Sequence, residues 1–439
     1  MKHLCNLAKI FFVFVIPFWV TSCKTATDSL DPGVSEVRVM HPRVYWTENP
    51  QQEAIISWTA TGTAPSSPHV VWMSTNPTAQ LGADTSWEWA IKEVLSGPIS
   101  LELEDKLTGV QSATYQHASV SGLQAHTTYF FKFCTGSTCS PVYHFRTAPA
   151  DGSDVKVLFG GDSRTGSPST NTDTHPASHT ARREMNAFIA SLFEKDTAIC
   201  ALIHGADYGM TASWWHLWHW FSDHELTITK DRRILPLIIS QGNHDHAQGF
   251  YENFMLPNLK KTPVDGYYYS TLFSNQLALI TLNTEKSMAG DQLDWFEKEI
   301  EGRRKTHPWL LVQYHRPAYP AVKNFDREDF AKVRKYWVPL LENYQVDLVL
   351  ESDGHALKKT APIYQGKIDK DKGIVYIGEG GMGVPQRKAD AERWYFKEDG
   401  FAGSFHHVWL IHAKANELEV QALGMKGETY LQFSRKKKH

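Results

Sequence analysis

The chain has no surplus of either charge: 45 lysines and arginines stand against 48 acids in 439 residues, a formal net charge of −3. That balance gives no polyanion-binding character, and nucleic-acid binding is not expected. The one basic run, Arg435 to Lys438, reads as a solvated tail. No internal repeat and no low-complexity segment occurs. The glycines of Tyr376 to Gly383, YIGEGGMG, open neither a GxGxxG nor a GK[ST] pattern, so they read as a tight strand-end turn rather than a phosphate loop. Cysteine is sparse, with five in all.

A run long enough to cross a bilayer is also missing at the start, where the apolar stretch Ile10 to Val20 is too short to span comfortably. Behind Lys2 and Lys9 it reads as a signal peptide over residues 1–22. The sequence Val20-Thr21-Ser22-Cys23 resembles the bacterial lipobox, which implies cleavage before Cys23 and a lipid on that cysteine. Lys24, where an aspartate would signal inner-membrane retention, points to the outer membrane; an uncleaved anchor is the competing reading. The expectation is an exported protein tied to the bacterial cell envelope, touching the membrane through the lipid. Residues 23–36 then form a polar tether, and the mature net charge falls to about −5 because two lysines leave with the leader. In an oxidising compartment Cys134 and Cys139 are placed to close the short loop FCTGSTC, whereas Cys200 lies in a buried strand pattern.

The mature chain exceeds what one core normally holds, so at least two domains are expected. Residues 37–148 show short alternating segments such as AIISW, HVVWM and TYFFKF between Pro, Gly, Ser and Thr clusters, an all-β sandwich pattern. The stretch SGLQAHTTYFFKF is similar to the corner of a fibronectin type III domain, with Tyr129 placed to bond back to the backbone. After a linker, residues 153–432 alternate strands with helical stretches, of which HTARREMNAFIASLFEKD and AGDQLDWFEKEIEGRRK are the clearest. Residues 433–439 are the basic tail.

Within that second region five continuously apolar runs each end in residues able to bind a metal. VKVLF leads to Asp162, AICALI to Asp207, ILPLIIS to Asn243 and His244, WLLV to His315, and VDLVLE to Asp353 and His355. Such runs are strands buried on both faces, as in α/β sheets, where ligands collect beyond the carboxyl ends of the strands. The spacing predicts one site. Singly, each residue has a plainer explanation: Asp162 as a helix cap, Asp207, Asn243 and Asp353 as turn formers, His315 as a strand end.

The motifs GDSR, GADY, GNHD, VQYHRPAY and a final DGH, behind a fibronectin-like sandwich, resemble the purple acid phosphatases among the calcineurin-like metallophosphoesterases. The resemblance implies an α/β (α+β) metallophosphoesterase sandwich of two mixed β-sheets flanked by helices, preceded by the all-β sandwich. It also implies a pair of metal ions (Fe, Mn, Zn or Mg) and a phosphorylated small-molecule or polymer substrate. Asp162 would hold the first metal, Asp207 would bridge, Asn243 and His315 would hold the second, and His244 would face the substrate and protonate the leaving alkoxide.

Two departures stand out. Arg164 and Met210 occupy positions where the family carries a histidine or a tyrosine ligand, and neither suits a hard cation. Arg164 either clamps a phosphate oxygen or pairs with an acid. The final motif, SDGHALKK, aligns in two ways. The gapless one, favoured here, puts Asp353 on the second metal and His355 on the first; a two-residue deletion puts His355 in the place of Asp353. The oxygen-richer gapless set would suit Mn²⁺, Mg²⁺ or Fe²⁺, with zinc still open. The expected chemistry is phosphomonoester hydrolysis by a metal-activated water, without a covalent enzyme intermediate. The rivals are a phosphodiesterase with the same metals and a lipoprotein that binds phosphate or glycan without turnover. Trp214, Trp215, Trp218 and Trp220, with His216 and His219, read as packing at the rim of the site.

Overall fold

Apolar runs of six or fewer residues with polar ends favour strands that stop where the ligand candidates begin, and the computed structural model bears this out. It describes residues 37–62, 67–81, 86–100, 112–164, 176–254 and 267–437; the leader, the tether and the last two residues of the tail, Lys438 and His439, lie outside them. Two mixed sheets face each other. In the first, Val155–Gly160, Ile199–His204 and Leu237–Ile239 run parallel, with the antiparallel strands Val408–Ala413, Glu417–Leu423 and Thr429–Lys436 on one side. In the second, Leu277–Thr281, Trp309–Gln313, Leu348–Glu351 and Tyr376–Gly378 run parallel, with Tyr269–Phe273 forming a hairpin with Leu277–Thr281 at one edge. Side chains of both sheets, among them Phe159, Leu202, Leu311 and Leu350, share one buried core. A continuously hydrophobic strand is stable only when covered on both faces, so helices must close the outer sides.

The helices are α1 (Pro176–Lys195), α2 (Trp214–His224), α3 (Gln248–Asn253), α4 (Asp291–Thr306), α5 (Glu328–Tyr336) and α6 (Val338–Asn343). The two clearest helical stretches read from the sequence are present as α1 and α4, and the stretch DFAKVRKYWVPLLENY is divided at Trp337. Pro339 lacks a backbone N–H, so it suits the first turn of a new helix and not the interior of a long one.

The first region is a β-sandwich, and its larger sheet does not stop at the linker. The strand Arg38–Tyr45 pairs in parallel with Leu237–Ile239, and Trp46 N–H bonds Leu237 O at 2.9 Å. One ten-stranded sheet therefore runs from the sandwich into the second region. The hydroxyl of Tyr129 accepts the Gln124 N–H at 2.9 Å, as the corner pattern predicted, and Cys134 and Cys139 are bonded across a hairpin. The tail needs a correction. The last strand extends through Lys436, and Arg435 donates to Gly373 O, so the first basic residues belong to the sheet edge.

Candidate metal centre

All five strand ends converge where the carboxyl edges of the two sheets meet. Contact is close there: a Cβ on Gly205 would lie 2.1 Å from Ser352 Oγ of the facing sheet. His315 bridges the gap, its Nδ1 bonded to Gly205 O at 2.8 Å. A carbonyl can only accept, so Nδ1 carries the proton and Nε2 is left as the donor atom for a cation.

The side chains predicted from sequence come together. Donor atoms of Asp162, Asp207 and His315 lie within 4.8 Å of one another. His315 Nε2 stands 3.3 Å from Asp207 Oδ1, 3.3 Å from Asn243 Oδ1 and 3.8 Å from Asp353 Oδ1. His355 Nε2 lies 3.4 Å from Asp162 Oδ1. His244 sits at the edge, 22% exposed, with Nε2 4.0 Å from Asp207 Oδ2 and Nδ1 bonded to Met210 O. Arg164 is buried, with Nε 3.6 Å from Asp207 Oδ2 and Nη1 on the Met210 sulfur. This is the geometry of the ion-pair reading. His216 and His219 join no metal-binding group among the described residues. Their helix α2 instead fixes the floor of the site: Trp220 Nε1 donates to Ser163 Oγ at 2.7 Å, and Trp214 packs on Ile99 and Ala113 of the sandwich.

The backbone is bent to achieve this. Asp162, Asp207, Asp353 and His355 all have positive φ, between 52° and 72°, a conformation costing roughly 1–3 kcal/mol per residue and typical of functional sites. Two glycines explain themselves here. A Cβ on Gly242 would stand 2.4 Å from Asp207 Oδ1 and 2.8 Å from His315, and one on Gly380 would strike Asp162 Oδ2. Any larger residue in GNHD or GEGG would push the ligand candidates apart.

The cluster carries an excess of buried negative charge, which a bound cation would meet while displacing the proton that His315 otherwise takes up. Burial alone would raise the Asp207 carboxyl, but the fields of His315, His244 and Arg164 outweigh it and keep the group well below the usual carboxylate range. Burial opposes charge on His315 as well, yet Asp207, Asp162 and Asp353 raise it to about 9. Such a centre asks for positive charge. Asp162 Oδ1 and Asp353 Oδ2 are buried without a hydrogen-bond partner, an arrangement that costs several kcal/mol unless a cation meets them. The residues therefore fit bound metal.

Three contributors were not found by reading the sequence. Asp245 is fully buried and accepts the N–H groups of Asp207, Tyr208 and Gly242 at 2.8, 3.0 and 3.0 Å, tying two ligand loops into one unit. It is the last letter of GNHD, but two of its three donors come from another loop. Lys323 places its ammonium 2.5 Å from Asp353 Oδ1. Arg387 donates to Asp353 O at 3.3 Å.

Two facing mixed sheets with acids and histidines at their joined carboxyl ends define a metallophosphoesterase. Residues 39–147 match the family model of the purple acid phosphatase N-terminal domain. The chain is 23% identical over 364 residues to the probable purple acid phosphatase 20 of Arabidopsis thaliana, spanning 75% of this chain and 80% of that one. A purple acid phosphatase from yellow lupin (Lupinus luteus) seeds superposes with a TM-score of 0.69 at 16% identity, over 91% of this chain and 74% of the lupin one. The structure titled PhoD superposes with a TM-score of 0.62 at 13% identity, over 90% of both chains. The chain is thus similar in sequence and fold to the purple acid phosphatases, carries the purple acid phosphatase N-terminal domain over residues 39–147, and is a metallophosphoesterase enzyme.

Proposed function

We propose that this metallophosphoesterase hydrolyses phosphomonoesters at a dinuclear centre, outside the cytoplasm and anchored through a lipid on Cys23. Asp162, Asp207 and His355 would hold one ion, and Asp207, Asn243, His315 and Asp353 the other. The observation that carries the reading is that Asp162 Oδ1 and Asp353 Oδ2 are buried without a hydrogen-bond partner in the same cluster as Asp207 and His315. The gapless alignment of DGH is favoured by the same contacts, since His355 faces Asp162 and Asp353 faces His315. Export is supported by the Cys134–Cys139 bond, which persists in an oxidising compartment.

When bound, the metals supply Lewis acidity to phosphate oxygens and lower the pKa of an attacking water. The chain's own residues do the rest. His244 commits Nδ1–H to Met210 O, so Nε2 is the atom that, once protonated, would donate to the phosphate and pass its proton to the leaving alkoxide. Arg164 adds fixed positive charge behind Asp207, whether or not it touches substrate.

The reading is tested by comparing para-nitrophenyl phosphate with its bis-ester before and after chelation. Faster, metal-dependent cleavage of the monoester is expected. A diester preference would select the phosphodiesterase alternative, and tight phosphate binding without turnover would point to a binding lipoprotein. Detergent-phase partition lost in Cys23→Ala checks the anchor.

A further inference from the structure

Lys323 stands out as the ammonium beside the ligand cluster that is not buried away: its side chain is 21% exposed, whereas that of Arg164 is 2% exposed. It reaches Asp353 Oδ1 at 2.5 Å, while Asp353 Oδ2, the oxygen offered to a cation, has no partner. Asp353 thus holds Lys323 through one oxygen and leaves the other open to a cation. A lysine ammonium has three N–H donors. Asp353 engages one of them.

The segment that carries Lys323 is held unusually firmly. Ala318 N–H bonds Glu351 Oε1 at 2.7 Å, Lys358 Nζ donates to Tyr319 O at 2.6 Å, and Ala321 N–H bonds Glu379 Oε2 at 2.6 Å. Arg393 donates to Val322 O at 3.0 Å. Lys358, Glu351 and Glu379 form a wholly buried charged group that no step of the mechanism uses. Buried ion pairs contribute little net stability, so their value here is in fixing a loop. Lys323 therefore meets a ligand without first losing the freedom a surface lysine would lose.

Resting on the phosphatase reading above, we propose that Lys323 is a substrate-binding residue that favours monoesters over diesters. Near neutral pH a phosphomonoester carries close to two negative charges and a diester one. An extra cation beside the ligand set selects for the more highly charged group, and the two remaining donors of Lys323 engage a non-bridging phosphate oxygen that a diester substitutes with carbon.

The test uses the full-length, metal-loaded protein with Lys323→Gln and Lys323→Arg. Titration calorimetry with inorganic phosphate should show affinity falling about tenfold to a hundredfold in the glutamine variant, the scale of one charge-assisted hydrogen bond. The monoester-to-diester ratio of kcat/KM should fall with it, the arginine variant should recover most of both, and metal content should not change. An equal loss on both esters, or loss of metal in Lys323→Gln, would overturn the proposal and leave Lys323 as a support for Asp353. If wild type cleaves neither ester, the phosphatase reading fails by itself. Phosphate titration then decides Lys323 alone: weaker binding in the variant keeps its anion-binding role, and equal binding removes it.

Discussion

Acid should loosen the junction between the sandwich and the catalytic region through one buried histidine. His117 sits on Ala113–Val120, with Nδ1 2.7 Å from Ser57 Oγ and Nε2 2.9 Å from Glu252 O of α3. Burial, only partly offset by the Glu252 carbonyl, lowers its pKa to about 3, while the unfolded chain titrates near 6.5. The folded state thus keeps the imidazole neutral at pH values where the unfolded state takes up a proton. The stability it contributes is complete above pH 6.5 and is lost as pH falls from there towards 3. Between pH 7 and pH 5 the loss is about 2 kcal/mol, at 1.36 kcal/mol per unit below the unfolded pKa. Other titrating groups cancel if the pH 7 to pH 5 change in unfolding free energy is compared between wild type and His117→Gln by urea denaturation. Glutamine retains an amide for Ser57 or Glu252 but does not titrate, so the variant should lose about 2 kcal/mol less on acidification. Parallel losses in the two proteins would refute the reasoning.

Three other outcomes are expected. His244→Ala should lower kcat by about 10²- to 10⁴-fold, the range of general acid catalysis, while metal content stays that of wild type; near-normal turnover would remove its role. Asp245→Ala strands three buried N–H groups and should cost about 3–5 kcal/mol in thermal or denaturant unfolding, with weaker metal binding because the loops of Asp207 and Asn243 part. Cys200 is buried and its thiol is pushed up to about 12 by burial, so it should not react with a thiol reagent until the protein unfolds.

What the sequence made legible follows from where its signals are local. A strand covered on both faces must be apolar throughout, so the five runs before Asp162, Asp207, Asn243, His315 and Asp353 announced both their own burial and the polar ends that meet. Helices α1 and α4 were legible through their periodicity. Features made by distant pairings were not. Nothing in Arg38–Tyr45 indicates that it will continue a sheet through Leu237, because an edge strand of a sandwich and an internal strand of a larger sheet share one pattern. Asp245 stood inside a motif already read, yet its importance lies in donors 37 and 38 positions away. Lys323 gave no signal at all: a lysine in a loop is ordinary until the fold brings Asp353 against it.

Six side chains, Asp162, Asp207, Asn243, His315, Asp353 and His355, are assigned to bound metal, and elemental analysis of purified protein tests this most directly. Wild type reconstituted with Mn²⁺, Fe²⁺ or Zn²⁺ should retain close to two ions per chain after desalting. Asp353→Ala and His355→Ala should each retain about one, because each removes a ligand from a different ion. Wild type that holds no metal, or variants that hold as much as wild type, would contradict the assignment of this centre.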